Sequence, residues 1–208
     1  MSLVHILDFE FQNLKYIIDI YDQLDIKQKD IFTFDECNFN NYIGDVTKDI
    51  VWTWGINDFA LKLFDWFFNE LKLIDKLNKI YSNRFYIKGI SFITLNKKKV
   101  TNEESNFHYD ILSPYDNPKQ TNILTVIIPI KFKSNMGGLQ YIEGKKMHNY
   151  NYKLGELIVF DSSKIEHRTM PFELLKEEYR VLLSINLSSD LEWASCATKK
   201  VTLLQGNI

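Results

Sequence analysis

The chain has 208 residues, of which 45% are hydrophobic and 14% aromatic, as in an ordered domain with a full core. Its formal net charge of −2 argues against a general nucleic-acid-binding surface, and its two cysteines, Cys37 and Cys196, do not make a disulfide framework. We find no apolar run of membrane-spanning length and no signal-sequence pattern, so we expect a cytoplasmic (intracellular) protein.

Helical periodicity dominates the first 82 residues. Residues 12–24 form one amphipathic segment, and residues 58–81 form a longer one with Asp58 as its predicted N-cap. Apolar residues of the longer segment recur at helical spacing and predict a packing face: Phe59, Leu63, Phe67, Leu71 and Ile74, with Leu73 and Leu77 nearby. We expect these helices to cover the outer face of a sheet.

Strand patterns follow the helical region. Short runs of β-branched and aromatic residues predict strands at 85–95, 106–111, 121–131, 139–143, 156–160 and 178–187. Strands in succession without intervening helices indicate a sandwich or barrel rather than βαβ units. We therefore predict a mainly β (α+β) fold with flanking helices, in one domain spanning residues 1–208. Residues 1–82 would support a jelly-roll core at 83–190, and residues 191–208 would form a C-terminal extension.

A short motif, NFHYD, places His108 and Asp110 two residues apart on one predicted strand. Side chains at i and i+2 of a strand point to the same face, so Tyr109 should point to the other. His167 comes later in DSSKIEHRTMPF, and Arg180 opens RVLLSINL. Two imidazoles and one carboxylate are the ligand set of the facial triad that holds non-haem Fe(II) and leaves metal positions open.

In this order, and set among TNILTVIIPIKF, MGGLQYIEG and YKLGELIVFDSS, these residues resemble the 2-oxoglutarate- and Fe(II)-dependent oxygenases, especially the prolyl-4-hydroxylase-like branch. The resemblance covers residues 85–190 and implies a double-stranded β-helix, the cupin-like form of the jelly roll. It also implies that His108, Asp110 and His167 bind Fe(II) and are catalytic. Asp110 disfavours the halogenase variant of the family, in which a small residue leaves room for chloride.

Arg180 is implied to bind the distal carboxylate of the co-substrate 2-oxoglutarate. Its guanidinium offers a planar, bidentate donor fork, and burying it without an anion would be costly. A rim ion pair with Glu177 or Glu178 is the alternative role for this arginine. Arg168 could instead contact the co-substrate or the substrate.

The sequence departs from the family pattern beside Arg180. Leu182 stands where many members have serine, and Ile127 or Ile128 stands where the prolyl-hydroxylase-like branch often has tyrosine. We expect Thr125 or Ser184 to provide the second anchor for the carboxylate. Gly137 and Gly138 resemble the family's glycine pair at a tight turn on the pocket rim. The polar segments 96–105 and 113–120 are predicted to cover the substrate.

The resemblance implies an enzyme that hydroxylates an unactivated C–H bond, consumes O2 and 2-oxoglutarate, and releases succinate and CO2, with ascorbate as an optional reductant. A peptidyl proline or another amino-acid side chain is the leading substrate, and a small metabolite or a lipid is the alternative. The charge balance disfavours a nucleic-acid substrate, no membrane partner is expected, and the oligomeric state is left open.

Two other classes of protein remain to be separated from the oxygenases. A cupin-type metal-binding protein that does not use 2-oxoglutarate has no reason to bury Arg180. A non-catalytic interaction protein on a degenerate barrel would have lost a metal ligand, whereas this chain keeps all three.

Overall fold

The computed structural model describes residues 2–10, 14–23, 31–34, 36–43, 50–112, 120–132, 135–176 and 178–206. The helices are α1 (Lys15–Gln23), α2 (Asp58–Glu70), α3 (Leu73–Tyr81) and α4 (Glu192–Gly206). The strands are β1 (Val4–Asp8), β2 (Ile31–Phe34), β3 (Cys37–Ile43), β4 (Ile50–Gly55), β5 (Tyr86–Asn96), β6 (Lys99–Val100), β7 (Ile123–Lys131), β8 (Leu139–Glu143), β9 (Lys146–Tyr150), β10 (Glu156–Phe160), β11 (Glu166–Thr169), β12 (Phe172–Glu173) and β13 (Tyr179–Ser188). Among these residues, no helix combines the length and apolar character that a membrane crossing requires.

Two antiparallel sheets define the architecture. Within the described ranges, eight strands form a large sheet in the order β1-β10-β7-β13-β5-β4-β3-β2, and three form a small sheet in the order β11-β8-β9. β6 and β12 pair separately. The large sheet and the flanking helices confirm the predicted mainly β fold of the jelly-roll type.

The first 82 residues contribute strands as well as helices. β1 pairs with β10 at one edge of the large sheet, and β4, β3 and β2 extend it beyond β5. The helical periodicity of this region does not predict these strands. β3 carries asparagines at positions 38, 40 and 41, which disfavour strands and hide the short apolar alternation around them.

Residues 58–81 form two helices where the sequence predicts one. Lys72 adopts a left-handed conformation (φ 53°) between α2 and α3. The N-cap of α2 is Asn57 rather than Asp58, because the Asn57 side chain accepts a hydrogen bond from the Ala60 amide at 3.1 Å. The buried face is also rotated from the prediction, since Phe59 is 50% exposed.

The main core lies between the helices and the outer face of the large sheet. Phe64 and Phe68 of α2 are fully buried, and the Phe64 ring meets that of Phe92 on β5 edge-to-face, with centroids 6.3 Å apart. Each such side chain stabilises the fold by roughly 1.5–3 kcal/mol through burial. The helices therefore support the sheet from outside, as predicted, and leave its inner face available for a site.

The predicted strands after residue 82 are confirmed within about two residues, with one exception. Residues 106–111 do not form a strand; His108 makes only an isolated antiparallel bridge with His167. In that bridge the His108 amide donates to the His167 carbonyl at 3.0 Å, and the His167 amide donates to the His108 carbonyl at 2.9 Å. The backbone of this segment therefore pairs with β11 at a single bridge, and that bridge holds two of the predicted metal ligands.

Candidate metal centre and co-substrate pocket

The structure brings His108, Asp110 and His167 together. Their ligand atoms all lie within 4.8 Å of one another. Asp110 Oδ1 lies 3.3 Å from His167 Nε2 and 3.7 Å from His108 Nε2, and the two imidazole centroids are 4.7 Å apart. Two nitrogens and one carboxylate oxygen thus converge on one small region, as a three-ligand metal site requires.

Backbone carbonyls orient both imidazoles. His108 Nδ1 lies 3.0 Å from the carbonyl oxygen of Asn106, and His167 Nδ1 lies 3.1 Å from that of Ile165. Because a carbonyl oxygen can only accept, each Nδ1 carries the proton. In the neutral imidazole this tautomer leaves Nε2, beside Asp110, with a free lone pair, which is the state that binds a metal ion.

Thr125 holds the carboxylate of Asp110. The Thr125 hydroxyl, on β7, donates a hydrogen bond of 2.9 Å to Asp110 Oδ2. The other oxygen, Oδ1, is the one that faces both histidines. Thr125 is predicted from the sequence as an anchor for 2-oxoglutarate, and here its hydroxyl is engaged by the acidic member of the triad.

Asp110 and His167 favour each other's charged forms. Burial alone would raise the pKa of Asp110, but attraction to His167 and the hydrogen bonds from His167 and Thr125 lower it. Burial likewise would lower the pKa of His167, but Asp110 raises it above its ordinary value. In the absence of a metal ion, His167 therefore holds a proton more tightly than an ordinary histidine does.

This proton must leave before His167 can bind a metal ion. Metal affinity is therefore expected to decrease as the pH falls through the raised pKa of His167, and to level off above it. The decrease should begin at a higher pH than for a histidine with the ordinary pKa of about 6.5. Titration with Co(II), followed by absorbance at a series of pH values, measures this effect. An affinity that stays constant through the neutral range would contradict it.

The triad opens into a pocket of about 540 Å³ over the inner face of the large sheet. Strands β4, β5, β7 and β13 form its floor, and residues of β8, β11 and α4 complete its walls. The pocket extends from the triad to Arg180 on β13 and to Trp52 and Trp54 on β4. Val201 places the predicted C-terminal extension, now α4, in the wall of the pocket.

Arg180 is a buried cation without an acidic partner among the described residues. It is 3% exposed, and its Nη1 donates to the Met136 carbonyl at 3.1 Å. Its Nε has no hydrogen-bond partner in the described part of the chain, and burial lowers the pKa of the guanidinium. Glu178 pairs instead with Lys176 at 3.8 Å, and Glu177 lies outside the described residues. Such a cation is suited to an anionic ligand.

The glycine pair shapes this end of the pocket. Gly137 has φ +65°, and a Cβ added there would lie 2.4 Å from the Met170 carbonyl oxygen. A Cβ on Gly138 would lie 1.9 Å from the Tyr150 carbonyl oxygen. Only glycine fits these two positions, and the turn presents the carbonyl of Met136 to Arg180.

Tyr152 is a pocket residue that the sequence does not reveal. It lies between β9 and β10, is 6% exposed, and its ring centroid is 5.2 Å from the guanidinium carbon of Arg180. Ser184, predicted as an anchor, also lines the pocket. No periodic or motif signal marks Tyr152, because its proximity to Arg180 arises only when the two sheets pack.

Arg168 is engaged elsewhere. Its guanidinium donates to Gln140 Oε1 at 2.7 Å, to the Ser105 carbonyl at 3.1 Å and to Asn102 Oδ1 at 3.0 Å. It also lies over the Phe107 ring, 4.4 Å from the centroid. Arg168 thus attaches residues 102–107 to β11. Of the two segments predicted to cover the substrate, 96–105 is held by these contacts, and most of 113–120 lies outside the described residues.

No protein-family model matches the sequence, and a search of curated proteins finds no match. Solved structures do match in fold. A prolyl-4-hydroxylase from Pseudomonas putida superposes with a TM-score of 0.54 at 12% identity, covering 91% of this chain and 93% of that one. HygX from Streptomyces hygroscopicus, solved with nickel and 2-oxoglutarate bound, gives 0.56 at 9% identity, covering 91% and 84%.

The non-haem alpha-ketoglutarate-dependent epimerase SnoN from nogalamycin biosynthesis gives a TM-score of 0.59 at 8% identity, covering 90% of this chain and 78% of its own. At such low identities the similarity establishes the fold. This chain has the fold of the 2-oxoglutarate- and Fe(II)-dependent oxygenase structures, as the resemblance implied. In addition, its own donor set of two Nε2 atoms, one carboxylate and one buried guanidinium fits a metal ion and a dicarboxylate.

Proposed function

We propose that residues 1–208 act as an Fe(II)- and 2-oxoglutarate-dependent dioxygenase that hydroxylates an unactivated C–H bond. One observation carries the proposal: the buried cation Arg180, without an acidic partner among the described residues, shares a pocket with the triad of His108, Asp110 and His167. A triad alone would suit many metal proteins. A triad that shares its pocket with a guanidinium lacking an acidic partner among the described residues suits a ligand that chelates the metal at one end and carries a carboxylate at the other.

The three ligands have distinct roles in this proposal. His108 and His167 would present Nε2 to Fe(II), with Nδ1 protonated by its contact with a backbone carbonyl. Asp110 would supply the anionic oxygen Oδ1, while Thr125 holds Oδ2. When bound, Fe(II) and the keto acid supply the oxidising chemistry, in which O2 is consumed and 2-oxoglutarate is converted to succinate and CO2.

Arg180 would bind the distal carboxylate of 2-oxoglutarate through its bidentate fork. The carbonyl of Met136 fixes Nη1, and the Tyr152 ring packs against the guanidinium, so the cation is preorganised. A second, hydroxyl-bearing anchor would come from Ser184 or Tyr152, since both line the pocket. The hydroxyl of Thr125 is less available because it already donates a hydrogen bond to Asp110.

The substrate class follows only coarsely from the neighbours. The similar structures include a prolyl-4-hydroxylase and HygX, which was solved with hygromycin B bound. We propose a peptide or a small molecule as substrate, with a peptidyl proline or another amino-acid side chain preferred to a lipid. Neither a nucleic acid nor a membrane is proposed as a partner. A cupin-type protein that does not use 2-oxoglutarate would have no anionic ligand for the buried guanidinium of Arg180.

An anaerobic binding experiment followed by turnover tests the proposal. Purified protein should bind Fe(II) and 2-oxoglutarate under anaerobic conditions, and admitting O2 should yield succinate even without substrate, with ascorbate added to keep the iron reduced. Replacing Fe(II) with Zn(II) should preserve 2-oxoglutarate binding and eliminate succinate. Failure of the protein to bind either Fe(II) or 2-oxoglutarate would refute the proposal.

A further inference from the structure

A second polar feature lies on the inner face of the large sheet and extends from β13 to β4. Ser184 on β13 is paired with Ser91 on β5, and Ser91 is paired with Trp54 on β4. Directly paired residues of antiparallel strands project from the same face of a sheet. The three side chains therefore form a row across the floor of the pocket, and all three line it.

Two members of this row are buried without a hydrogen-bond partner among the described residues. Trp54 is 2% exposed and Ser91 is 1% exposed, and neither Trp54 Nε1 nor Ser91 Oγ has a partner in the described part of the chain. The great majority of buried polar atoms in native proteins are paired. Of the five unpaired side-chain atoms found among the described residues, three belong to this pocket, the third being Arg180 Nε. This concentration points to a ligand rather than to scattered packing defects.

The charges around the pocket exclude a charged ligand at this position. Lys97 and Glu104, at the rim, pair with each other at 2.8 Å. Among the other described pocket residues, the charged or titratable groups belong to the metal triad or to Arg180, apart from the neutral hydroxyls of Tyr109 and Tyr152. No described cation or anion of the pocket is left to neutralise a substrate charge near Trp54.

The donors instead suit a neutral oxygen. An indole N–H can only donate, and a serine hydroxyl can donate beside it, so both can bind one carbonyl oxygen. The neighbouring row on the Arg180 side is apolar, because Trp52 is paired with Ile93 and Ile93 with Leu182. Ile50 and Leu95 lie in the row beyond it, which ends at Arg180. A ligand with an apolar body and one strong neutral acceptor matches both features, and an amide carbonyl is the strongest such acceptor in peptide-like molecules.

We propose that Trp54 and Ser91 form a substrate subsite that binds the carbonyl oxygen of an uncharged amide. As a substrate site, it rests on the proposed oxygenase function. The subsite lies on β5 and β4, whereas Thr125, which holds the metal ligand Asp110, lies on β7. Three strand spacings separate β7 from β4, or roughly 14 Å between backbones. A substrate that contacts both ends is therefore an extended amide, such as a capped peptide segment, rather than a free amino acid.

Indole NMR signals provide the direct test. The chain has four tryptophans, and the Trp54→Phe variant assigns the Nε1–H signal of Trp54 by its loss. The probes are a panel of N-acetylated tripeptide amides with apolar side chains, and the same tripeptides with free, charged termini. The full-length protein is titrated with and without Zn(II) and 2-oxoglutarate. The capped peptides should shift the Trp54 signal, and the charged ones should bind more weakly.

Variants separate a hydrogen-bonding subsite from simple packing. Trp54→Phe and Ser91→Ala should each weaken binding of the capped peptide about tenfold, the effect of losing one or two hydrogen bonds. Trp66→Phe, which alters a tryptophan that is 58% exposed on α2, should leave the affinity unchanged. Without ligand, Ser91→Ala should raise Tm by a few degrees, because it removes a buried hydroxyl that has no partner.

The subsite would be refuted if no capped peptide in the panel bound, or if the charged peptides bound as tightly as the capped ones. It would also be refuted if both Trp54→Phe and Ser91→Ala kept the affinity of the unmodified protein. A lowered Tm in Ser91→Ala without a change in affinity would make the hydroxyl structural. Binding of Fe(II) and 2-oxoglutarate is measured in the same samples. If Fe(II) and 2-oxoglutarate fail to bind while the capped peptides do bind, the proposed oxygenase function is refuted and the amide-binding subsite is retained.

Discussion

Replacing His167 with alanine is expected to abolish Fe(II)-dependent succinate formation and to weaken metal binding by more than about 100-fold. Removing a group that merely supports a metal ligand already costs about 10–100-fold in affinity or activity, and here a ligand atom itself is lost. The substitution leaves the backbone bridge between residues 108 and 167 intact, because that bridge uses only main-chain atoms. Co(II) titration and the succinate assay measure the two effects separately.

His148→Ala is the matched control for this variant. His148 lies on β9 of the same small sheet as His167, and its ring stacks on Tyr141 with centroids 5.1 Å apart. It is not part of the triad, so metal affinity and turnover should stay near the values of the unmodified protein. If His167→Ala retained metal affinity within a few-fold of His148→Ala, the triad would not be the metal site.

Replacing Arg180 with methionine is expected to change ligand binding and stability in opposite directions. Methionine keeps much of the side-chain length but removes the guanidinium, so affinity for 2-oxoglutarate should fall at least about 30-fold, the equivalent of about 2 kcal/mol. In the ligand-free protein, the change removes a buried cation with an unpaired Nε. We therefore expect Tm to stay the same or to rise, as when other buried charges are replaced by apolar groups.

Arg168→Met provides the contrasting control. Arg168 donates three hydrogen bonds to Gln140, Ser105 and Asn102, so its loss should lower Tm while leaving 2-oxoglutarate affinity unchanged. Calorimetric titration of the Zn(II)-bound proteins with 2-oxoglutarate, combined with thermal unfolding, gives both quantities. The reverse pattern, with affinity lost in Arg168→Met and kept in Arg180→Met, would make Arg168 the anchor.

The strands of the core could be predicted because their sequence signal is strong. The stretch at 121–131 is rich in β-branched residues, and β7 is buried on both faces between the helices and the pocket. The turn after Leu71 could not be predicted, since no glycine or proline marks it and Lys72 takes a left-handed conformation there. The buried face of α2 could not be predicted either, because apolar residues occupy most sides of that helix.

The convergence of the triad could be predicted because metal ligands are constrained by residue type and order. The contacts that support the site residues could not be predicted. Thr125 contacts Asp110 through a pairing of residues 15 positions apart that no local pattern encodes. The contacts of Tyr152 with Arg180, and of Trp54 with Ser91, likewise depend on how sheets and strands pack. The residues of the triad are therefore easier to predict from the sequence than the shape of the pocket around them.

The isolated bridge between His108 and His167 affects how easily residues 106–111 open locally. The segment at residues 106–111 gains no further ladder hydrogen bonds from β11, so its attachment depends on this bridge, on the Thr125–Asp110 hydrogen bond and on the contacts of residues 102–107. Such a segment should open locally at a lower free energy than the core strands. Amide hydrogen exchange at His108 would then be fast in the metal-free protein and slow once an ion joins the two histidines, making this single amide a reporter of metal occupancy.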